Sequence, residues 1–153
     1  MKYESKSLED TMAFAESLAK EAKPGDILCL RGPLGAGKTA FAKGFAKGLG
    51  IQGHVSSPTF TIMQVYDKGR LTLYHFDLYR LMDVEMNVEM DLDALDDIGF
   101  SEYLESDGVC LVEWAEYAEE VIPDGAKWIR IETVADRSED DGSNSEERTI
   151  HIC

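Results

Sequence analysis

The spacing of apolar side chains predicts alternating helices and strands. Between residues 7 and 22, apolar residues recur at positions 8, 12, 15, 18 and 19, which is helical spacing, and Ser7 is placed to cap the helix start. Residues 27–31, ILCLR, and 109–113, VCLVE, are short continuous apolar runs, typical of strands buried on both faces. A second helix is expected from about residue 38 to residue 49.

The rest of the pattern predicts two hairpins separated by a helical region. Residues 59–66 and 71–77 are rich in β-branched and aromatic residues and flank a turn signal at 67–70. Residues 78–105 look helical and acidic, with a break near Gly99, and a short helix or turn follows over 114–120. Residues 127–134 and 148–152 form a final strand pair.

This order of elements predicts an α/β fold, a P-loop NTPase-like sandwich with a mixed central sheet flanked by helices. The strands over 27–31 and 109–113 should lie at its centre, and the hairpins should supply the antiparallel strands. A length of 153 residues favours one domain over 1–153. Residues 136–147, DRSEDDGSNSEE, are strongly acidic and poor in apolar residues, which predicts a flexible loop.

Composition narrows the class of protein. Fifteen basic against thirty acidic residues give a formal net charge of −15, which would repel a phosphate backbone, so we expect no direct nucleic-acid binding. No apolar run approaches the roughly 20 residues that span a bilayer, and the polar, acidic N-terminus resembles no export signal. We therefore expect a cytoplasmic protein without membrane contact, and buried, reduced thiols at Cys29 and Cys110.

Residues 32–39, GPLGAGKT, match the phosphate-binding pattern GxxxxGK[ST] at every fixed position. Glycines let the backbone curl so that its N–H groups face phosphate oxygens, and the following helix adds the positive end of its dipole. Lys38 should reach the β and γ phosphates, and the Thr39 hydroxyl should coordinate Mg²⁺. The preceding buried strand and following helix are the context that this mechanism requires.

Such a site needs an acid at the end of a neighbouring strand, and two are available. Asp77 ends LTLYHFD, and Glu113 ends VCLVE. His75 is interpreted as a packed strand histidine rather than a proton carrier, and Trp114 either belongs to the core or flanks the nucleotide. Residues 56–59, SSPT, are either a simple turn or a segment that senses the γ-phosphate. The guanine-specifying NKxD pattern is absent from the sequence, which argues against a GTPase.

Four segments together resemble a known family. GPLGAGKT, SSPTFT, HFDLYR and LVEW follow one another in the order and near the spacings of the TsaE (YjeE-type) proteins, small bacterial ATPases needed to make threonylcarbamoyladenosine in tRNA. The resemblance covers nearly the whole chain, including the first helix.

The resemblance implies ATP and Mg²⁺ as ligands and a role for each matching residue. Asp77 and Glu113 would be catalytic, Asp77 by positioning water or metal, and Thr39 and Glu113 would hold Mg²⁺. Trp114 would lie beside the nucleotide. The other implied residues are Gly35, Ala36, Gly37, Lys38, Thr39 and Ala40 on the phosphates, Ser57, Pro58 and Thr59 as a switch segment, Thr11 near the adenine, and Arg148, preferred to Arg137, approaching the nucleotide.

Two residues depart from the family pattern. Pro33 replaces the usual acidic residue at a variable position of the loop, so phosphate binding should survive. Ala40 replaces a common hydroxyl residue, which keeps the backbone N–H but removes a side-chain contact. The resemblance further implies an auxiliary subunit that binds a heterodimer of two kinase-like-fold subunits and resets that threonylcarbamoyl-transfer complex by slow ATP hydrolysis.

Two other functions fit the residues. One is a small P-loop kinase that phosphorylates a metabolite or nucleoside, with Asp77 as the base for the acceptor hydroxyl. Such kinases usually carry an arginine-rich lid, whereas Arg70 and Arg80 are the only arginines between residues 32 and 129. The other is a nucleotide-gated binding module that requires no hydrolysis.

Overall fold

The computed structural model describes residues 1–33, 36–53, 55, 61–81, 90–133 and 146–152. Its strands are β1 (Lys2–Ser5), β2 (Ile27–Arg31), β3 (Met63–Tyr66), β4 (Leu73–Asp77), β5 (Val109–Glu113), β6 (Lys127–Thr133) and β7 (Arg148–Ile152). Its helices are α1 (Leu8–Glu21), α2 (Lys38–Gly48), α3 (Leu92–Asp97) and α4 (Phe100–Leu104), with 3₁₀ segments at Leu78–Leu81 and Ala115–Val121.

The described strands form one mixed sheet in the order β1-β7-β6-β2-β5-β4-β3. Strands β4, β5, β2 and β6 run parallel, whereas β3 is antiparallel to β4, and β7 is antiparallel to both β6 and β1. The predicted α/β fold with a mixed sheet is confirmed, as are the central positions of β2 and β5. Both hairpins are present, and α1 begins where predicted, with the Ser7 side chain accepting a hydrogen bond from the Asp10 N–H.

The two faces of the sheet carry different helices. Helices α1 and α2 lie on one face, where Phe14, Phe41 and Phe45 join a buried cluster with Leu30 and Ile131. Helices α3 and α4 lie on the other face, where Phe100 meets Phe76 edge-on at 5.0 Å between ring centres. The break predicted near Gly99 is the junction between these two short helices.

Helices α1 and α2 approach each other so closely that two positions in α2 must be glycine. A side-chain carbon at Gly44 would collide with the backbone of Met12, and one at Gly48 would collide with the backbone of Glu16 and lie 2.6 Å from the Ala19 side chain. This close crossing determines how α2, and therefore the loop at its start, sits against α1.

Strand β1 was not predicted, because its residues make no apolar run. Lys2 and Glu4 are exposed, whereas Tyr3 packs on the core and Ser5 is buried. Its pairing with β7 places it at the edge of the sheet, where alternation over only four residues is a weak signal in a sequence.

The remaining sequence predictions concern the acidic loop, the cysteines and membrane contact. Residues 136–145 of the predicted acidic loop over 136–147 lie outside the described residues, as does Cys153. Cys29 and Cys110 are buried and unpaired, as predicted. Within the part of the chain that the structure describes, no helix is long and apolar enough to cross a membrane.

Candidate functional site

The phosphate loop joins the end of β2 to the start of α2. A side-chain carbon at Gly32 would lie 2.8 Å from the Ile131 carbonyl oxygen, so only glycine fits beside β6 there. Gly37 begins α2 with φ +101°, a left-handed conformation that glycine adopts without strain. Leu34 and Gly35 lie outside the described residues. Space at Gly32 and backbone conformation at Gly37 therefore each favour glycine at the two fixed glycine positions of the motif.

Lys38 is buried beside this loop, and the described residues offer its ammonium group no hydrogen-bond acceptor. Only 6% of the residue is exposed, and its Nζ has no partner among the described residues. The ammonium group lies 3.7 Å from the centre of the Trp114 ring. Burial lowers the Lys38 pKa, and the negative charges of Glu113, Glu116 and Asp77 oppose that shift. A buried cation that has no acceptor among the described residues is a candidate partner for an anion.

The two predicted acids end neighbouring strands side by side. Asp77 of β4 and Glu113 of β5 are register partners in the parallel pair, and only 3% of each residue is exposed. The Asp77 carboxylate accepts a hydrogen bond from the Tyr79 N–H at 3.1 Å. Leu30, two residues before Gly32, is the register partner of Glu113 on its other side. The fold therefore brings both acids to the edge where the phosphate loop begins.

Glu113 is held by a histidine from the neighbouring strand. The His75 Nε2 lies 2.6 Å from the Glu113 Oε2, and the ring is fully buried. The Nδ1 of the same ring has no partner among the described residues. With Glu113 ionised, the proton belongs on Nε2, which donates to the carboxylate and orients it. The sequence pattern favours a packed histidine at this position, but it does not give the strand register and so does not predict this contact.

Trp114 has a conformation that side chains rarely adopt. Its φ is +64°, in the left-handed region, directly after Glu113. Its ring contacts Tyr79 and Tyr117, with 5.1 Å and 6.2 Å between ring centres. Backbone strain of this kind costs on the order of 1–3 kcal/mol and concentrates at functional sites. The strain turns the chain so that the ring of Trp114 lies against Lys38.

An arginine from the far end of the chain contacts the phosphate loop. The Arg148 Nε donates to the Ala36 carbonyl at 2.7 Å, and the residue is buried. Arg148 was the arginine expected near the nucleotide, and the alternative, Arg137, lies outside the described residues. The start of α1 is also adjacent, since a side-chain carbon at Gly37 would lie 3.9 Å from Leu8.

The remaining predicted site residues lie in α1, in α2 or outside the described residues. Thr11 is fully buried in α1, with its hydroxyl 2.7 Å from that of Ser5. Thr39 is exposed in the first turn of α2, and Ala40 is half-buried beside it. No group of three or more His, Cys, Asp or Glu side chains within the described ranges could hold a metal on its own. The expected switch residues Ser57, Pro58 and Thr59 lie outside those ranges.

Glu116 is a further half-buried acid near Lys38, which the sequence motifs do not predict. Its Oε2 lies 4.0 Å from the Arg31 Nε, and its buried Oε1 has no hydrogen-bond partner among the described residues. Burial raises the Glu116 pKa, an effect that the charges of Arg31 and Lys38 oppose. Its position two residues after Trp114 is the one signal in the sequence that could have drawn attention to it.

A buried strand, a glycine loop with a lysine, and acids at the ends of the adjacent parallel strands together define a P-loop NTPase-like protein. The family model for threonylcarbamoyl adenosine biosynthesis protein TsaE matches residues 5–144. The chain therefore belongs to the TsaE family.

Relatives and a solved structure agree with this assignment. The chain is 47% identical over 141 residues to the tRNA threonylcarbamoyladenosine biosynthesis protein TsaE of Bacillus subtilis (strain 168), covering 92% of this chain and 80% of the relative. It is 40% identical to the protein of that name from Treponema pallidum (strain Nichols), covering 89% and 94% of the two chains. The crystal structure of Bacillus subtilis YdiB superposes with a TM-score of 0.75 at 41% identity, covering 99% of this chain and 83% of that one.

Proposed function

We propose that this protein binds ATP with Mg²⁺, hydrolyses it slowly, and serves as the auxiliary ATPase of the complex that adds the threonylcarbamoyl group to tRNA. The observation that carries the proposal is the buried Lys38 Nζ, which has no acceptor among the described residues and stands at the start of the loop helix. A phosphate oxygen is the acceptor that this position and the motif favour. The family's place in threonylcarbamoyladenosine biosynthesis supports the biological setting.

In this proposal the loop binds phosphate through its backbone and through Lys38. The residues that contribute are Gly35, Ala36, Gly37, Lys38, Thr39 and Ala40. Arg148 supports the loop by its hydrogen bond to the Ala36 carbonyl, and its guanidinium adds positive charge there. Trp114 flanks the bound nucleotide, and Thr11 lies toward the adenine.

Thr39 and Glu113 would hold Mg²⁺, because a hydroxyl and a carboxylate are the oxygen ligands that this ion prefers. When bound, the ion supplies positive charge beside the phosphates. The hydrogen bond at 2.6 Å from His75 holds the Glu113 carboxylate in one orientation. That orientation is set before any ligand arrives, because both residues are buried in the sheet.

Asp77 is the candidate for positioning the attacking water. Its carboxylate is the register neighbour of Glu113 and is held by the Tyr79 N–H. In hydrolysis the water oxygen bonds to the γ-phosphorus, the bond to the β–γ bridging oxygen breaks, and ADP and phosphate leave. Asp77 accepts a hydrogen bond from that water and orients it.

We propose that turnover is slow in the isolated chain and rises with partner proteins. Arg148, the arginine that contacts the described part of the loop, already bonds the loop's own backbone, so the charge that speeds phosphoryl transfer would come from a partner. The partner in this proposal is the heterodimer of two kinase-like-fold subunits, with the switch residues Ser57, Pro58 and Thr59 reporting the nucleotide state.

The test compares ATP binding with ATP hydrolysis in three variants. Lys38→Ala should weaken ATP binding about tenfold to a hundredfold, since a charged hydrogen bond is lost. Asp77→Asn should bind ATP normally but lower kcat by roughly 10²-fold or more. Lys127→Gln, at the exposed first residue of β6, is the control and should change neither ATP binding nor kcat.

The alternatives make different predictions in the same assay. Rapid hydrolysis that partners do not change would contradict an auxiliary role. Transfer of labelled γ-phosphate to a small acceptor would favour the kinase, and full cellular function of Asp77→Asn without turnover would favour a binding module.

A further inference from the structure

Four basic residues lie in one row across the sheet, which begins at Arg31, the residue before the phosphate loop. Arg31 of β2 is the register partner of Arg130 in β6, Arg130 is the partner of His151 in β7, and His151 is the partner of Lys2 in β1. Register partners point to the same face of a sheet, and neighbouring strands lie about 4.8 Å apart, so the row is about 14 Å long. The sequence separates these residues by up to 149 positions, and only strand pairing aligns them.

This row lines an open groove. The groove has a volume of about 610 Å³, and its lining includes all four basic residues and the half-buried Trp128. No acidic side chain is among the described residues that line it. The side chains of Lys2, Arg31 and Arg130 are 61%, 50% and 53% exposed, so the described helices leave this part of the sheet uncovered.

The basic row works against folding. Like charges that face each other across strands destabilise a sheet, and this row aligns three permanent cations and a histidine. Among the described residues, Lys2 pairs with Glu4 at 3.3 Å, Arg130 with Glu132 at 3.2 Å and Arg31 with Glu116 at 4.0 Å, and His151 shares Glu132 at 3.3 Å; all these pairs are partly exposed. Exposed pairs of this kind contribute little to stability. The alignment is therefore better explained by a ligand than by the fold.

A second row on the same face limits the kind of ligand that the basic row could bind. Glu132, Thr149 and Glu4 are register partners in β6, β7 and β1, directly beside the basic row. A nucleic-acid backbone laid along the groove would meet this acidic row and a chain of net charge −15. A protein segment, in contrast, can carry acidic side chains where it faces the basic row and none where it faces the acidic row. An apolar side chain of the same segment can contact Trp128.

We propose that the groove lined by Lys2, Arg31, Arg130 and His151 is a docking surface for an acidic segment of a partner protein, lying across β2, β6, β7 and β1. The groove starts at Arg31, the residue before Gly32, so a segment bound there adjoins the phosphate loop. The surface itself is independent of the proposed ATPase activity and requires no nucleotide.

The experiment measures binding of a fluorescein-labelled peptide of twelve residues, with glutamates alternating with valines, by fluorescence anisotropy at low salt. Because the protein carries a net charge of −15, general attraction for an acidic peptide is excluded, and binding must be local. We expect saturable binding that weakens at 0.5 M salt and at least tenfold in the double variant Lys2→Gln, Arg130→Gln.

The matched control is Lys68→Gln, Lys127→Gln, which removes the same charge from exposed positions that do not line the groove. It should bind the peptide like the unmodified protein. Both double variants should keep basal ATP hydrolysis, so a failure here is distinguishable from a failure of the proposed function.

Four outcomes would overturn the proposal. They are no saturable binding of the peptide, equal weakening in the control variant, tighter binding of a labelled twelve-nucleotide uridine RNA than of the peptide, and a melting temperature of the Lys2→Gln, Arg130→Gln variant clearly below that of the control. The last would show that the row stabilises the fold, whereas relief of like-charge contacts predicts an unchanged or higher melting temperature.

Discussion

The Nζ of Lys38 lies 3.7 Å from the centre of the Trp114 ring, so the phosphate-loop lysine and the residue after the strand acid Glu113 are in direct contact. A cation on an aromatic face gains about 0.5–2 kcal/mol, less than the lysine gains from an ionised phosphate oxygen. The contact is therefore one that a bound nucleotide can replace, and the tryptophan can report that replacement.

The first prediction is that nucleotide binding changes the fluorescence of Trp114. The chain has two tryptophans, so Trp128→Phe should keep the signal and Trp114→Phe should lose it. Lys38→Met should also lose the response, because no ammonium then leaves the ring. Titration with ATP followed by emission spectra checks this, and a response that persists in Trp114→Phe would contradict it.

The second prediction concerns the buried pair of His75 and Glu113, whose Nε2 and Oε2 are 2.6 Å apart. His75→Phe should lower the free energy of unfolding by about 2–4 kcal/mol, because it leaves a buried carboxylate without its donor. Adding Glu113→Gln should cost less than the sum of the single changes, with a coupling of about 1 kcal/mol or more.

Urea denaturation of the two single variants and the double variant measures this coupling. His151→Phe is the matched control, because its pair with Glu132 at 3.3 Å is more exposed and should contribute less than about 1 kcal/mol. Additive effects of His75→Phe and Glu113→Gln would show that the two side chains do not stabilise each other.

The third prediction is that Gly44→Ala destabilises the fold although alanine is the better helix former by about 1 kcal/mol. The added carbon would collide with the backbone of Met12 in α1, and such overpacking costs roughly 1–3 kcal/mol. Gly125→Ala is the control, since nothing lies within 4 Å of its added carbon. Thermal unfolding of both variants decides it, and the idea fails if Gly44→Ala raises the melting temperature.

The fourth prediction concerns the thiols of Cys29 and Cys110. Burial raises the pKa of each thiol to about 12. Both thiols therefore stay protonated in the folded protein at pH values at which an exposed thiol ionises. In a Cys153→Ser variant, Ellman's reagent at pH 8 should modify neither thiol before unfolding and both after addition of guanidinium. Rapid modification of either thiol in the native protein would contradict the burial.

The same pKa values set the sign of a pH effect. The unfolded thiols release protons from about pH 9, whereas the folded ones hold them to about pH 12. Alkaline pH between these values therefore favours the unfolded state through these groups. The loss of stability from pH 8 to pH 10 should be smaller in a Cys29→Ala, Cys110→Ala variant.

The sequence by itself determined the features that depend on neighbours in the chain. The apolar run ILCLR, the glycines and Lys38 are contiguous, so their pattern predicted a buried strand, a phosphate loop and a helix. Asp77 and Glu113 could be named because each ends an apolar strand, and Ser7 because a helix cap lies next to its helix.

Only the tertiary structure decided what depends on register and burial. It paired His75 with Glu113, placed Lys38 on Trp114, and brought Arg148 to Ala36, contacts between residues that are 38, 76 and 112 positions apart. It also aligned Arg31, Arg130, His151 and Lys2 into one row. The reason is physical: an apolar pattern states that a strand is buried but not which strand it pairs with, and a shift of one residue would turn every side chain to the opposite face.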